Sequence, residues 1–185
     1  MRKFAVFSES IFVCIVLAGI YGVLHDQVTY TIAPEYFTRF KYHQFGFEPA
    51  LFGGHRQTVA VIGFLATWWT GLFIGFSLGL TGLIYKDHKL MRKAIRRAVL
   101  IVFCVALAMG LAGFLYGKLV LAKTGVDWWM PENLADKEAF IAVGSTHNFS
   151  YLGGLTGLIT CIVYLVKRRR TQYAKAGIGA APAGK

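Results

Sequence analysis

Histidines and carboxylates are the residues of this sequence that could bind a metal ion or move protons, and most of them lie in two stretches. The first holds His25-Asp26, Glu35, His43, Glu48 and His55; the second holds Glu132 and His147. Imidazole nitrogen beside carboxylate oxygen suits a borderline divalent metal such as zinc or ferrous iron, and the same pairing can pass protons. The sharpest candidate metal set is Glu35, His55, Glu132 and His147, two carboxylates and two imidazoles that would converge if the two stretches were copies of one another. His25 and Asp26 form a further candidate polar site. Against a metal stands a structural reading, in which Asp26 orients His25 and Glu35 ties its loop to the rest of the fold. None of these residues has the fixed close spacing of an H-E-x-x-H motif, and no pattern singles out a catalytic residue or an organic cofactor.

The elements that must position these groups are membrane helices. Hydrophobic residues make up 56% of the chain and aromatics 15%, more than a soluble domain of 185 residues carries. A spanning helix needs about 20 mostly apolar residues. Four stretches qualify, at about 4–24, 59–85, 98–122 and 149–166, which predicts an all-α membrane protein with four transmembrane helices forming one domain over 1–170. Two long outer loops follow, at about 25–58 and 123–148. The small, Gly- and Ala-rich tail at 171–185 reads as disordered. A cleaved signal peptide competes for the N-terminus, but Glu9 interrupts the apolar run and LAGIYGVLHD offers no small-x-small cleavage site.

Charge sets the expected orientation. Arg2 and Lys3 precede the first helix, Lys86, Lys89, Arg92, Lys93, Arg96 and Arg97 fill the link between the second and third, and Lys167 to Arg170 follow the fourth. The positive-inside rule then puts both termini and the short link in the cytoplasm and the two long loops outside. The net charge of +11 is explained by these helix flanks meeting anionic lipid headgroups, so nucleic acid is not an expected partner.

Glycine spacing supplies a packing signal. Gly71, Gly75 and Gly79 recur every fourth residue, a glycine zipper along which another backbone can approach, and Gly113 and Gly117 add to it. The spacing predicts a tight four-helix bundle but leaves open whether the partner is in the chain or in another copy. The pieces LAGIYG (17–22) and LAGFLYG (111–117) are each followed by a Pro-Glu pair and then by a His before the next helix, which suggests two tandem helical hairpins related by a pseudo-two-fold axis along the membrane normal. The two pieces align only with a one-residue gap, a rotation of about 100° on a helix. Cys14, Cys104 and Cys161 stand alone and read as apolar packing residues. The aromatics of PEYFTRFKYHQFGF, with Trp128 and Trp129, read as an interfacial belt or a cap on the bundle.

The stretch HDQVTYTIAPEYFTRFKYHQFG (25–46) resembles a loop of small multi-spanning bacterial membrane proteins of no assigned activity. The resemblance implies a bacterial inner membrane and lends no catalytic residue. The expected function is a non-enzymatic accessory or binding subunit that associates with another membrane protein or with copies of itself. The alternatives are a metal-dependent enzyme or metal-binding protein at the outer face, and a small oligomeric channel. The lack of a charged residue near the middle of any expected helix argues against a proton-coupled pump, although an oligomeric pore lined by Gly, Ser and Thr escapes that argument.

Overall fold

The computed structural model describes residues 1–175, so all but the first five residues of the expected disordered tail lie outside the described residues. Four helices are long and apolar enough to cross a membrane. They are α1 (Arg2–Ile32), α2 (His55–Gly82), α3 (His88–Tyr116) and α4 (Lys137–Lys175). The expected all-α membrane bundle is therefore the architecture observed, with no strand among the described residues.

The helices are longer than their apolar cores, and this redraws the two loops. Helix α1 runs on past Leu24 through the polar stretch HDQVTYTI and stops at Ala33, whose φ of −137° and ψ of 83° are the extended geometry that a following proline imposes. Thr29 and Thr31 donate their hydroxyls to the carbonyls of His25 and Gln27, one turn back, so polar side chains are satisfied without leaving the helix. Helix α4 begins at Lys137, where the Asp136 carboxylate accepts from the Ala139 N–H, and it includes residues 171–175 of the tail. Residues 25–32 and 137–148, expected in loops, are thus helical. The loops that remain are 33–54, which contains a five-residue π-helical turn at Phe37–Lys41, and 125–136. Helix α3 ends in a second π-helical turn, Gly117–Leu121, and one further turn to Thr124.

Helix α1 packs chiefly on α2 and α3 chiefly on α4, giving two hairpins. Glycine explains the closeness of both. A Cβ on Gly75 would lie 2.7 Å from the Ile11 Cα and the Ser10 carbonyl oxygen, Gly71 abuts the Cys14 carbonyl, and Gly79 faces Ser10 and Phe7. In the other hairpin Gly113 meets Phe149 and the Ser145 carbonyl, and a Cβ on Gly117 would sit 2.8 Å from the Ala142 Cα. The partner of these glycines is within the chain. All three cysteines are free thiols.

Two apolar clusters close the bundle at its ends. Val6, Leu78, Tyr85, Met91, Leu158 and Leu165 fill the end that carries the short basic link. Tyr36, Phe37, Tyr42, Val59, Ile62, Phe140 and Val143 fill the end that carries the long loops. The loop aromatics Tyr36, Phe37 and Tyr42 are buried, so they cap the bundle, whereas Trp129 stays exposed as a belt residue would. A broad set of exposed Leu, Phe, Val and Ile side chains covers the outside of the helices, the surface that hydrocarbon chains solvate.

Candidate functional site

Extending α1 and α4 brings their polar turns together. Asp26 on α1 and His147 on α4 are 3% and 6% exposed, and His25 is half-buried beside them. The Asp26 Oδ1 atom lies 3.1 Å from His25 Nδ1 and 3.1 Å from His147 Nε2. The other Asp26 oxygen, Oδ2, is buried with no hydrogen-bond partner among the described residues. His147 Nδ1 is 2.9 Å from the Val143 carbonyl, which can only accept, so that nitrogen carries a proton and donates it. His25 Nε2 is 3.4 Å from the Ser150 hydroxyl, which also accepts from the Tyr21 hydroxyl at 3.1 Å. The two imidazoles meet edge to face with ring centroids 4.6 Å apart, and Tyr36 covers His147 at 4.8 Å.

Donor counting exposes a demand in this cluster. With Nδ1–H given to Val143, a neutral His147 presents the lone pair of Nε2 to a carboxylate oxygen, and two acceptors then face each other at 3.1 Å. A cation must lie between them. A second proton on the His147–Asp26 pair would serve, and so would a metal ion.

The expected four-residue set is not gathered. Among the described residues, His147 is the one of Glu35, His55, Glu132 and His147 that belongs to a group of three or more potential ligands, and its companions are His25 and Asp26. Glu35 instead accepts from the N–H groups of Ala135 and Asp136, at 2.8 and 3.1 Å, and pairs with Arg39, which donates to the carbonyls of Glu132 and Asn133. It latches one loop onto the other at the start of α4. His55 opens α2 with its ring stacked between Tyr42 and Tyr30, and the Tyr42 hydroxyl donates to the His55 carbonyl. The Glu132 side chain is exposed. These residues assemble the loop cap, while His147 alone reaches the interior. The duplication pattern treated His55 and His147 as equivalents, yet one starts a helix and the other lies three turns inside one.

Below the cluster, between the two hairpins, lies a cavity of about 330 Å³. Its walls are Leu17, Ala18, Thr70, Phe73, Ile74, Val102, Phe103, Ala106, Leu155 and Leu158 among others, and its polar end is made by Tyr21, His25, Asp26, His147, Ser150 and Tyr151. Gly154 lines it too, and a Cβ there would meet nothing within 4 Å. Sequence reasoning did not find this cavity. The signal available was the small residues Ala18, Ala66, Ala106 and Gly154 at the same depth of their helices, which leave space that larger side chains would fill.

Fold and site together define a four-helix membrane bundle with a buried His–Asp–His cluster at the head of an apolar cavity. No protein-family model, curated protein or solved structure matches the chain.

Proposed function

We propose that this protein is a membrane-embedded binding module that takes an elongated amphiphile from the bilayer into the cleft between its hairpins, with no bond-making chemistry of its own. The observation that carries this reading is the cavity, mostly apolar along its length, where Thr67 and Thr70 donate their hydroxyls to helix carbonyls, with its convergent polar groups at the His25–Asp26–His147 end. Ligand sites have this composition, mostly apolar walls with a few convergent polar groups that fix orientation. An apolar chain loses nothing on passing from lipid to such walls, so selectivity falls to the polar head that Asp26, Ser150 and Tyr151 can meet. The basic residues at the link end support an orientation with that end cytoplasmic and the cavity's polar end toward the outer face, in a bacterial inner membrane. In this reading the module serves as an accessory subunit, presenting its ligand or its exposed apolar helix faces to another membrane protein.

Native mass spectrometry of the detergent-purified protein tests the reading. The wild type is expected to retain one amphiphile per chain, and Gly154→Phe, whose Cβ enters open space at the cavity wall, is expected to lose it while remaining folded. Equal lipid retention by the two proteins would overturn the reading.

A further inference from the structure

The cation that the cluster demands has a geometry of its own. Ligand atoms from His25, Asp26 and His147 all lie within 4.8 Å of one another, and both imidazole nitrogens approach the same carboxylate oxygen at 3.1 Å. Ligand atoms about 2.0–2.2 Å from a shared tetrahedral metal ion are separated by about 3.3–3.6 Å, so the two nitrogen–oxygen contacts already stand near coordination distance and a shift of about 1 Å bringing the two nitrogens together completes the set. The far nitrogen of each ring is already engaged, His147 Nδ1 by the Val143 carbonyl and His25 Nε2 by the Ser150 hydroxyl. That is how histidines that ligate metals are held, with the second nitrogen donating to an oxygen that fixes tautomer and ring orientation. Asp26 adds an independent sign, since its Oδ2 is buried and unpartnered among the described residues, an arrangement that costs free energy unless a cation compensates it.

We propose that His25, Asp26 and His147 form a binding site for a divalent transition metal of the zinc or ferrous class, with its remaining coordination position open to the cavity. Two imidazoles and a single carboxylate disfavour calcium and magnesium, which take oxygen ligands. One carboxylate against a divalent ion leaves a net charge of +1, which in this apolar surround favours an anionic or strongly polar fourth ligand. The inference goes beyond the amphiphile reading and stands on the cluster alone, because the three ligands converge whether or not the cavity is filled.

The test uses the full chain, purified in detergent and stripped with a chelator, then titrated with Zn²⁺ and with Co²⁺. The wild type is expected to bind one Zn²⁺ per chain with a rise in Tm, and to give the intense visible absorption of a low-coordinate Co²⁺ site. Asp26→Asn and His147→Gln are expected to weaken Zn²⁺ binding by more than the ~10–100-fold that loss of an outer partner costs. Ser150→Ala, which removes such a partner and keeps all three ligands, is expected to retain the stoichiometry at reduced affinity. His55→Gln is expected to leave binding unchanged. Should Asp26→Asn or His147→Gln fail to fold, the wild-type Co²⁺ spectrum and the Ser150→Ala titration carry the decision. Absence of a Co²⁺ spectrum in the wild type, or Zn²⁺ binding indifferent to the ligand substitutions, would overturn the site and leave a shared proton as the cation. Lipid retention is read separately, so loss of the metal site and loss of the amphiphile reading are distinguishable.

Discussion

Lys41 shows how a single residue carries strain that the cap tolerates. It ends the π-helical turn of the first loop, is 6% exposed, and holds its ammonium 5.7 to 5.9 Å from the ring centroids of Tyr36, Phe40 and Phe45. Cation–π attraction offsets part of the lost hydration. Burial nevertheless pushes the Lys41 ammonium below the ordinary lysine range, against a smaller opposing pull from the Asp26 charge. The unfolded chain then binds more protons than the folded one between the lowered value and the ordinary lysine pKa of about 10.4. Stability therefore rises with pH across that window and is lowest below it, where Lys41 is charged in both states. Lys41→Met removes the charge and keeps the length, so the variant is expected to lose this alkaline gain; Tm followed against pH in detergent checks it. A wild-type Tm that does not rise relative to the variant across the window would count against the burial of this ammonium. At the same scale, Glu35 and Asp26 were recognisable in the sequence as groups that tie or orient, and they do so. Their partners were not, because the Ala135 N–H lies 100 residues from Glu35 and the His147 ring 121 residues from Asp26.

Glycine spacing carries the element scale. A methyl group on Gly75 would lie 2.7 Å from backbone atoms of α1, and backbone cannot step aside without moving the helix, whereas a methyl on Gly154 enters open space. Gly75→Ala is expected to destabilise the protein by ~1–3 kcal/mol through overpacking. Gly154→Ala is expected to be neutral or to stabilise by up to ~1 kcal/mol, the helix preference for alanine over glycine. Unfolding titrations of both variants beside the wild type decide this; equal effects would mean that the α1–α2 approach is looser than described. The four-residue period made this stripe legible in the sequence, and so were the four apolar cores. The helix ends were not. Counting apolar residues stops at His25 and resumes at Phe149, but backbone hydrogen bonding ignores that boundary wherever side chains such as Thr29, Thr146 and His147 bond to the preceding turn. The candidate site lay hidden in those uncounted turns, since His25, Asp26 and His147 come together only when both helices are extended and the hairpins are docked.

The whole molecule is two hairpins pinned at both ends and held apart in the middle. At the link end Glu9 bonds to Arg92 and Arg96, at 2.8 and 3.0 Å, and the Tyr85 hydroxyl reaches the Leu165 carbonyl. At the loop end Asp26 meets His147, and Glu35 closes the two loops over the bundle. Between these pins Tyr21 and His25 meet the Ser150 hydroxyl and Tyr151 reaches the Ala66 carbonyl across the cleft, and the cavity lies alongside them. Which face of the membrane the cavity's polar head serves is then a question about the whole chain. The basic residues Lys89, Arg92, Lys93, Arg96 and Arg97, expected in the link but carried on the first turns of α3, converge on one patch, and anionic lipid together with the positive-inside rule favours the cytoplasm for it. The expected outcome is that, in intact cells, a membrane-impermeant maleimide labels Gln44→Cys in the loop cap and spares Lys93→Cys in the link patch. Both positions are exposed in the fold, and a Cys104→Ala background removes the native exposed thiol while Cys14 and Cys161 stay buried. Permeabilised cells should label both. The reverse pattern in intact cells would put the His–Asp–His cluster at the cytoplasmic face, where its cation and its ligand would be drawn from the reducing side of the membrane.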